Sequence, residues 1–302
     1  MNMKFADRMS NLGTETAFEV LAKAKKLEAE GKSIIHLEIG EPDFPTPQNI
    51  CDAAIKSIQA GDTHYTASAG IPEVRNSIAK YISRTRGIDV HPDEVVMTPG
   101  AKPIMFFAIL ALVNEGDEVI YPNPGFPIYE SMIKFVGGVP VPVKLEETRN
   151  FAFNIEDFKK LITPKTKMVI INTPQNPTGG ILTESEIRQI ADILKDREDI
   201  WILSDEIYSR LIFQGDHFSI TQIPGFMGFS CIVPLGAFYA FPNITKTGLS
   251  SKELNDKLLY EGGVASLAGT SFGEFGEGYL RFSYANSREN IKEAIRRIKK
   301  VV

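Results

Sequence analysis

Between about residues 48 and 205 the chain alternates short apolar runs with amphipathic stretches. The runs EVVMT (94–98), EVIY (118–121), VPVPVKL (139–145), MVIIN (168–172) and WILS (201–204) have the length and composition of strands. Segments with helical spacing lie between most of them, for example 101–113 and 183–195. Runs that are apolar throughout, joined by helices, predict a mostly parallel sheet with helices on both faces. Ligands of such sheets bind in loops beyond the carboxyl ends of the strands.

The two ends of the chain follow a different pattern. Thr16 and Glu19 have the spacing of a capping box, and Gly31 stops the helix they open, with Val20, Leu21, Ala24 and Leu27 on one face. SIIHLEIGEPDFPTP then passes from a short strand into a loop with three prolines, which predicts a crossing between domains. Towards the carboxyl end, GAFYAFPNI and GYLRFSYA alternate like half-buried antiparallel strands, with a helix at 251–260 between them. A last helix is predicted from near Ser287, with Ile291, Ala294, Ile295, Ile298 and Val302 on one side. The fold class is therefore α/β, with a smaller α+β domain that the N-terminal helix completes.

Composition narrows the classes of function. A chain of 302 residues suits two domains better than one. A hydrophobic content of 43% and a charged content of 24% are those of a soluble globular protein. The net charge of −5 argues against nucleic acid as a partner, because phosphate binding needs a concentrated basic face. No apolar run is long enough to span a membrane, and MNMKFADRMSNLG lacks the apolar core of a secretory leader, so a cytoplasmic location is expected. Cys51 and Cys231 lack metal-ligand spacing and read as buried free thiols; no metal is expected.

Three loops at strand ends carry the candidate chemistry. In TPGAKPIMFFA, Gly100 and Ala101 stand at a strand-to-helix turn, where free N–H groups and the helix dipole favour an anion. Alone this is a common turn. INTPQNPTGG follows an apolar strand, and its prolines and glycines fix a loop from which Asn176 can point an amide into the cleft. In WILSDEIYSRLIF, Asp205 falls where a buried strand ends and Tyr208 follows three residues later. A buried carboxylate needs a cationic partner or it protonates. Taken singly, Asp205 also reads as a helix cap.

Taken together and in order, GEPDFPTP, THYTASAGIPEVR, TPGAK, NPGFPIYE, NTPQNPTGG, SDEIYSRL, PLGAFYAFP and GEGYLRFSYA resemble the fold-type I pyridoxal-phosphate aminotransferases. The resemblance covers nearly the whole chain and is nearest to the branch containing bacterial aspartate aminotransferases. It implies pyridoxal 5'-phosphate as cofactor and an amino group passed between an L-amino acid and a 2-oxo acid. It also implies that Asp205 pairs with the protonated pyridine nitrogen, and that Tyr208 and Asn176 bond the ring's phenolic oxygen. Phe126 matches the aromatic residue that stacks on the ring, and Gly100, Ala101 and Lys102 match the phosphate-side turn. Tyr65 matches a tyrosine that reaches the phosphate from a partner subunit, which implies a homodimer. Arg281, with Gly40 nearby, matches the arginine that grips the substrate's α-carboxylate.

One part of the pattern is missing. The family's chemistry uses a lysine whose amine condenses with the cofactor aldehyde and then carries the α-proton. The resemblance places it one strand beyond SDEIY, in a Ser-x-x-Lys motif followed by a phosphate-binding arginine, and neither is found. After Tyr208 the chain reads SRLIFQGDHFSITQIPGFM and passes directly to GFSCIVPLGAFYAF. Lys246, Lys252 and Lys257 belong to later elements, so no catalytic lysine is assigned. The expectation is an internal deletion between Met227 and Gly228 that removes the lysine, the arginine, two strands and a long helix. The domains are then residues 1–45 (N-terminal arm and part of the small domain), 46–227 (truncated large domain) and 228–302 (small domain). The alternative reading is a non-catalytic remnant that at most binds the cofactor.

Overall fold

The computed structural model describes residues 4–13, 16–223 and 239–302. α1 (Thr16–Ala29) leads to β1 (Ile35–His36), α2 (Gln48–Gln59), α3 (Pro72–Arg86) and α4 (Lys102–Leu112). The sheet region follows as β2 (Glu118–Asn123), α5 (Ile128–Phe135), β3 (Val139–Glu146), β4 (Ala152–Phe153), α6 (Ile155–Leu161), β5 (Thr166–Asn172), α7 (Glu184–Leu194) and β6 (Trp201–Asp205). The chain ends with β7 (Tyr239–Ala240), α8 (Ser251–Tyr260), β8 (Val264–Ala265), β9 (Leu267–Ala268), β10 (Leu280–Ser283) and α9 (Arg288–Val301).

The strands from β2 to β6 form one sheet in the order β4-β3-β2-β5-β6, parallel except for the β3–β4 pair. Each central strand is apolar throughout because each of its faces meets a different core. Val119, Tyr121, Met168 and Ile170 pack with Met105 and Ile109 of α4 and Ile133 of α5. The alternate residues Ile120, Val169 and Ile171 pack with Phe158 of α6 and Ile187 and Ile190 of α7. The period of two in the pleat thus divides one apolar run between two helical layers. Thr183 and Glu186 close a capping box at the start of α7 and fix where that helix begins.

The terminal elements pack on one another. β1 pairs in parallel with β8, and β10 pairs antiparallel with both β7 and β9. Val20, Ala24 and Leu27 of α1 share a core with Leu259, Ala265, Leu267 and Phe272, so the N-terminal helix joins the C-terminal elements.

Local expectations fail at several places. Thr16 is the first helical residue rather than the cap, and its Oγ1 makes no hydrogen bond. In α9, Ala294 is buried and Ile298 packs, but Ile295 and Val302 face outward, since the helix offers only a narrow seam. Cys51 is half-buried rather than buried, and Cys231 lies outside the described residues, as does the Met227–Gly228 junction. EVVMT forms no strand: Val96 is 62% exposed and Met97 42% exposed. An extended segment becomes a strand only in a ladder: here the Met97 N–H donates to the Ala69 carbonyl at 2.9 Å and Arg75 Nε to the Val95 carbonyl at 2.9 Å, but no described strand pairs with it. β6 correspondingly ends the sheet, with its outer edge unpaired among the described strands.

Candidate active site

β2, β5 and β6 all run in one direction, so the loops after Asn123, Asn172 and Asp205 emerge at one end of the sheet. Asn172 and Asp205 are register partners on β5 and β6. Asn172 Nδ2 donates to the Asp205 carbonyl at 3.2 Å, and Asn172 Oδ1 accepts from the Asn176 N–H at 3.0 Å. This pair of bonds ties the NPTGG loop to the end of β6. Asn176 is buried, and its Oδ1 has no hydrogen-bond partner.

Asp205 lies among protein atoms with Tyr129 as its main partner. The Tyr129 hydroxyl donates to Asp205 Oδ2 at 2.5 Å, and the Ile207 N–H donates to Oδ1 at 3.3 Å. No cationic side chain pairs with Asp205 among the described residues. Burial pushes its carboxyl above the ordinary carboxylate range, against the pull of Tyr129 and the Ile207 N–H, and the neighbouring Glu206 pushes the same way. Asp205 also lines a depression with Ala101, Ile104 and Met105, at the amino end of α4. No side chain caps that end of the helix, and Gly100 before it takes φ +92°, a turn that excludes most other residues.

Phe126 reaches the same neighbourhood through its edge contact with Tyr129, at 5.9 Å between ring centroids. Lys102 Nζ stands 6.0 Å from the Phe126 ring and 5.8 Å from that of Phe18. Tyr208 is buried, and burial together with Tyr239 and Asp205 pushes its phenol well above the ordinary value, so it is a neutral hydroxyl at physiological pH. Its ring meets that of Tyr239 edge-on at 6.2 Å. Arg281 lies between Tyr239 at 4.2 Å and Phe272 at 4.9 Å, and its Nη2 donates to the Glu38 carbonyl. Gly40 lies against the hydroxyl of Tyr239.

The structure therefore brings Gly40, Ala101, Phe126, Asn176, Asp205, Tyr208 and Arg281 into one connected region, with Gly100 and Lys102 on its helix-terminal side. Tyr65 is fully exposed on the single chain. Sequence reasoning missed Tyr129 and Tyr239. The available signal at Tyr129 was a tyrosine on the buried face of a helix, whose hydroxyl must find a partner.

Behind Asp205, Glu206 is buried and anchors the loop to α3. Arg86 Nη2 lies 2.7 Å from Glu206 Oε2, His217 Nε2 lies 3.1 Å from the same oxygen, and Ser204 donates to Oε1 at 2.9 Å. Burial alone would raise this carboxyl, but His217, Arg86 and Ser219 outweigh it and hold it at about 2. A depressed carboxyl adds stability above its unfolded value of 4.5, and this is lost as pH falls through about 2. Glu206→Gln is expected to lower unfolding stability by about 3–5 kcal/mol at pH 7, by leaving the buried Arg86 guanidinium without its carboxylate. Urea unfolding at pH 7 and pH 3 checks this: the loss must be smaller at pH 3.

The chain matches the family model of the aminotransferases of class I and II over residues 32–227 and again over 217–298. It is 33% identical to an aspartate aminotransferase of Bacillus sp. strain YM-2, with 100% of each chain covered. It is 29% identical to aromatic-amino-acid aminotransferase 2 of Thermococcus litoralis, covering 99% of this chain and 98% of that one. Among solved structures, an aspartate aminotransferase from Thermus thermophilus with maleate superposes with a TM-score of 0.91 at 26% identity, over 99% of this chain and 100% of that one. The alignment with the Bacillus protein runs over 394 positions against 302 residues here, a difference of 92. On this ground the chain belongs to the class I and II aminotransferases, the pyridoxal-phosphate-dependent family of fold type I.

Proposed function

We propose that this chain is a cofactor-binding aminotransferase homologue whose site retains the groups that hold the ring, the phosphate and the substrate carboxylate but lacks the catalytic lysine. The observation that carries this reading is Asp205: a carboxylate among protein atoms, at the end of β6, without a cation beside it. Such a group is stabilised by a pyridinium N–H. The orphaned Asn176 oxygen and the uncapped start of α4 are two further unmet polar demands in the same region.

Pyridoxal phosphate, when bound, supplies an electron-withdrawing protonated ring and an aldehyde. Asp205 would hold the ring nitrogen, and Tyr129 fixes the carboxylate by donating to Oδ2. Tyr208 and Asn176 would hold the phenolic oxygen, with Phe126 against the ring. Gly100, Ala101 and Lys102 would take the phosphate at the uncapped amino end of α4. Arg281 with Gly40 would orient the carboxylate of an amino acid, and that of the matching 2-oxo acid, by paired hydrogen bonds. Aspartate, or another acidic or aromatic amino acid, is the substrate class, because the relatives' names include both aspartate and aromatic aminotransferases.

We assign the missing lysine to a block absent between Met227 and Gly228. The difference of 92 positions supports this, as does the restart of the family match at residue 217. So does an open edge: the outer side of β6, unpaired among the described strands, needs a neighbour that the missing strands would provide. The domains then divide near residues 45 and 227, and a cytoplasmic location follows from the family's metabolic role.

Adding pyridoxal phosphate is expected to raise the thermal midpoint of the chain, and inorganic phosphate to do so less. No shift with pyridoxal phosphate would leave only a remnant that cannot hold the cofactor. Tyr65 is exposed on the single chain, as a residue serving a partner's site would be, so a homodimer is expected. Sedimentation at micromolar concentration tests this, and a monomer counts against it.

A further inference from the structure

We propose that Tyr239 is an internal occupant of the substrate-carboxylate subsite, closing Arg281 and Gly40 to a carboxylate until its side chain swings away. The inference rests on the reading that Arg281 grips the substrate. The Tyr239 ring lies over the guanidinium at 4.2 Å, and Phe272 covers the opposite side at 4.9 Å. Arg281 is left 5% exposed. A Cβ placed on Gly40 would overlap the Tyr239 hydroxyl, so that hydroxyl fills the space directly above the Gly40 backbone. Its ring also meets that of Tyr208 edge-on, at 6.2 Å between centroids.

Three groups assigned to ligand binding thus converge on one side chain of the same chain. A carboxylate bound between Arg281 and Gly40 would have to occupy the volume of this phenol. The ring offers the guanidinium a cation–π partner in place of the anion. Tyr239 is consequently a residue that sets whether, and how tightly, a carboxylate enters, separately from the missing lysine.

The test is calorimetric titration of maleate, a non-reactive dicarboxylate, into the full chain. Tyr239→Ala is expected to bind maleate at least tenfold more tightly than the unaltered chain. Tyr239→Phe, which keeps the ring but removes the hydroxyl above Gly40, is expected to show a smaller gain. Adding Arg281→Met to Tyr239→Ala is expected to remove the gain. If neither Tyr239 variant binds maleate more tightly while Arg281→Met alone weakens binding, the occupant is refuted and the role of Arg281 stands. If the Tyr239→Ala gain survives Arg281→Met, the carboxylate is held elsewhere and the reading of Arg281 fails with the proposal. Should Tyr239→Ala not fold, judged by circular dichroism, an absence of gain in Tyr239→Phe is sufficient to overturn it.

Discussion

Incubated with pyridoxal phosphate and reduced with borohydride, the 302-residue chain is expected to carry no stoichiometric adduct on any single lysine. Its transaminase turnover is expected to fall at least about 10³-fold below that of an intact relative, the scale of losing a nucleophile and a general base together. Among the described residues no lysine pairs with Asp205, and none is among the charges that act on Tyr208. Lys102 approaches the region, but from the amino end of α4 and beside Phe126 and Phe18, where the phosphate would lie. Lys246 stands in the short turn Thr245–Thr247 that follows β7, remote in sequence from the end of β6. Peptide mass mapping after reduction gives the answer directly. An adduct on Lys102, Lys246 or any other one lysine, with turnover of an amino acid and 2-oxoglutarate, refutes this account. Restoring the missing positions from the Bacillus relative between Met227 and Gly228 is expected to recover both adduct and turnover. Failure of that chimera to do so, if it folds, removes the argument for an internal deletion.

The second large effect concerns Asp205. Asp205→Asn is expected to weaken pyridoxal-phosphate binding about 100-fold, since a buried ion pair between carboxylate and pyridinium is replaced by a neutral contact. The ligand-free chain is expected to lose no stability. The carboxyl is raised above its ordinary value of 3.8, chiefly by burial, so its ionisation is costlier folded than unfolded. That penalty is absent below 3.8 and grows as pH rises through the raised value. Asparagine escapes it, and its oxygen can still accept from Tyr129. Cofactor affinity of the unaltered chain should therefore fall on acidification through the Asp205 pKa, while that of Asp205→Asn stays flat over the same range. Thermal unfolding with and without cofactor, in a pH series rising from 3.8, measures both effects. An Asp205→Asn chain still stabilised as strongly by the cofactor would remove the carboxylate from the site. A loss of more than about 1 kcal/mol without ligand would make Asp205 a structural residue instead.

Much of the molecule was legible in the sequence for simple reasons. The runs at 118–121, 139–145, 168–172 and 201–204 became β2, β3, β5 and β6 because each is apolar on both sides and bounded by polar turns. The helices at 184–194, 251–260 and 288–301 began where Thr183, Ser250 and Ser287 accept hydrogen bonds from their first turns. Strand ends followed from these boundaries, so Asn176, Phe126 and Asp205 could be placed at one end of the sheet without coordinates. The expectation that no Schiff-base lysine follows SDEIY was likewise a reading of the sequence alone, since an unmatched motif position needs no geometry to detect.

Only the tertiary structure decided the rest. EVVMT has the composition of a strand, but a ladder depends on another strand brought alongside it, and no described strand pairs with it. The partner of Asp205 is Tyr129, 76 positions away, and nothing local to either residue specifies that contact. The same holds for Tyr239, which meets Arg281, Tyr208 and Gly40 from three separate parts of the chain. Local pattern fixes which face of an element is apolar, because period and polarity act over a few residues. Which charge lies unpaired, and which ring fills a binding space, is set by long-range packing, where burial and dielectric are properties of the assembled fold.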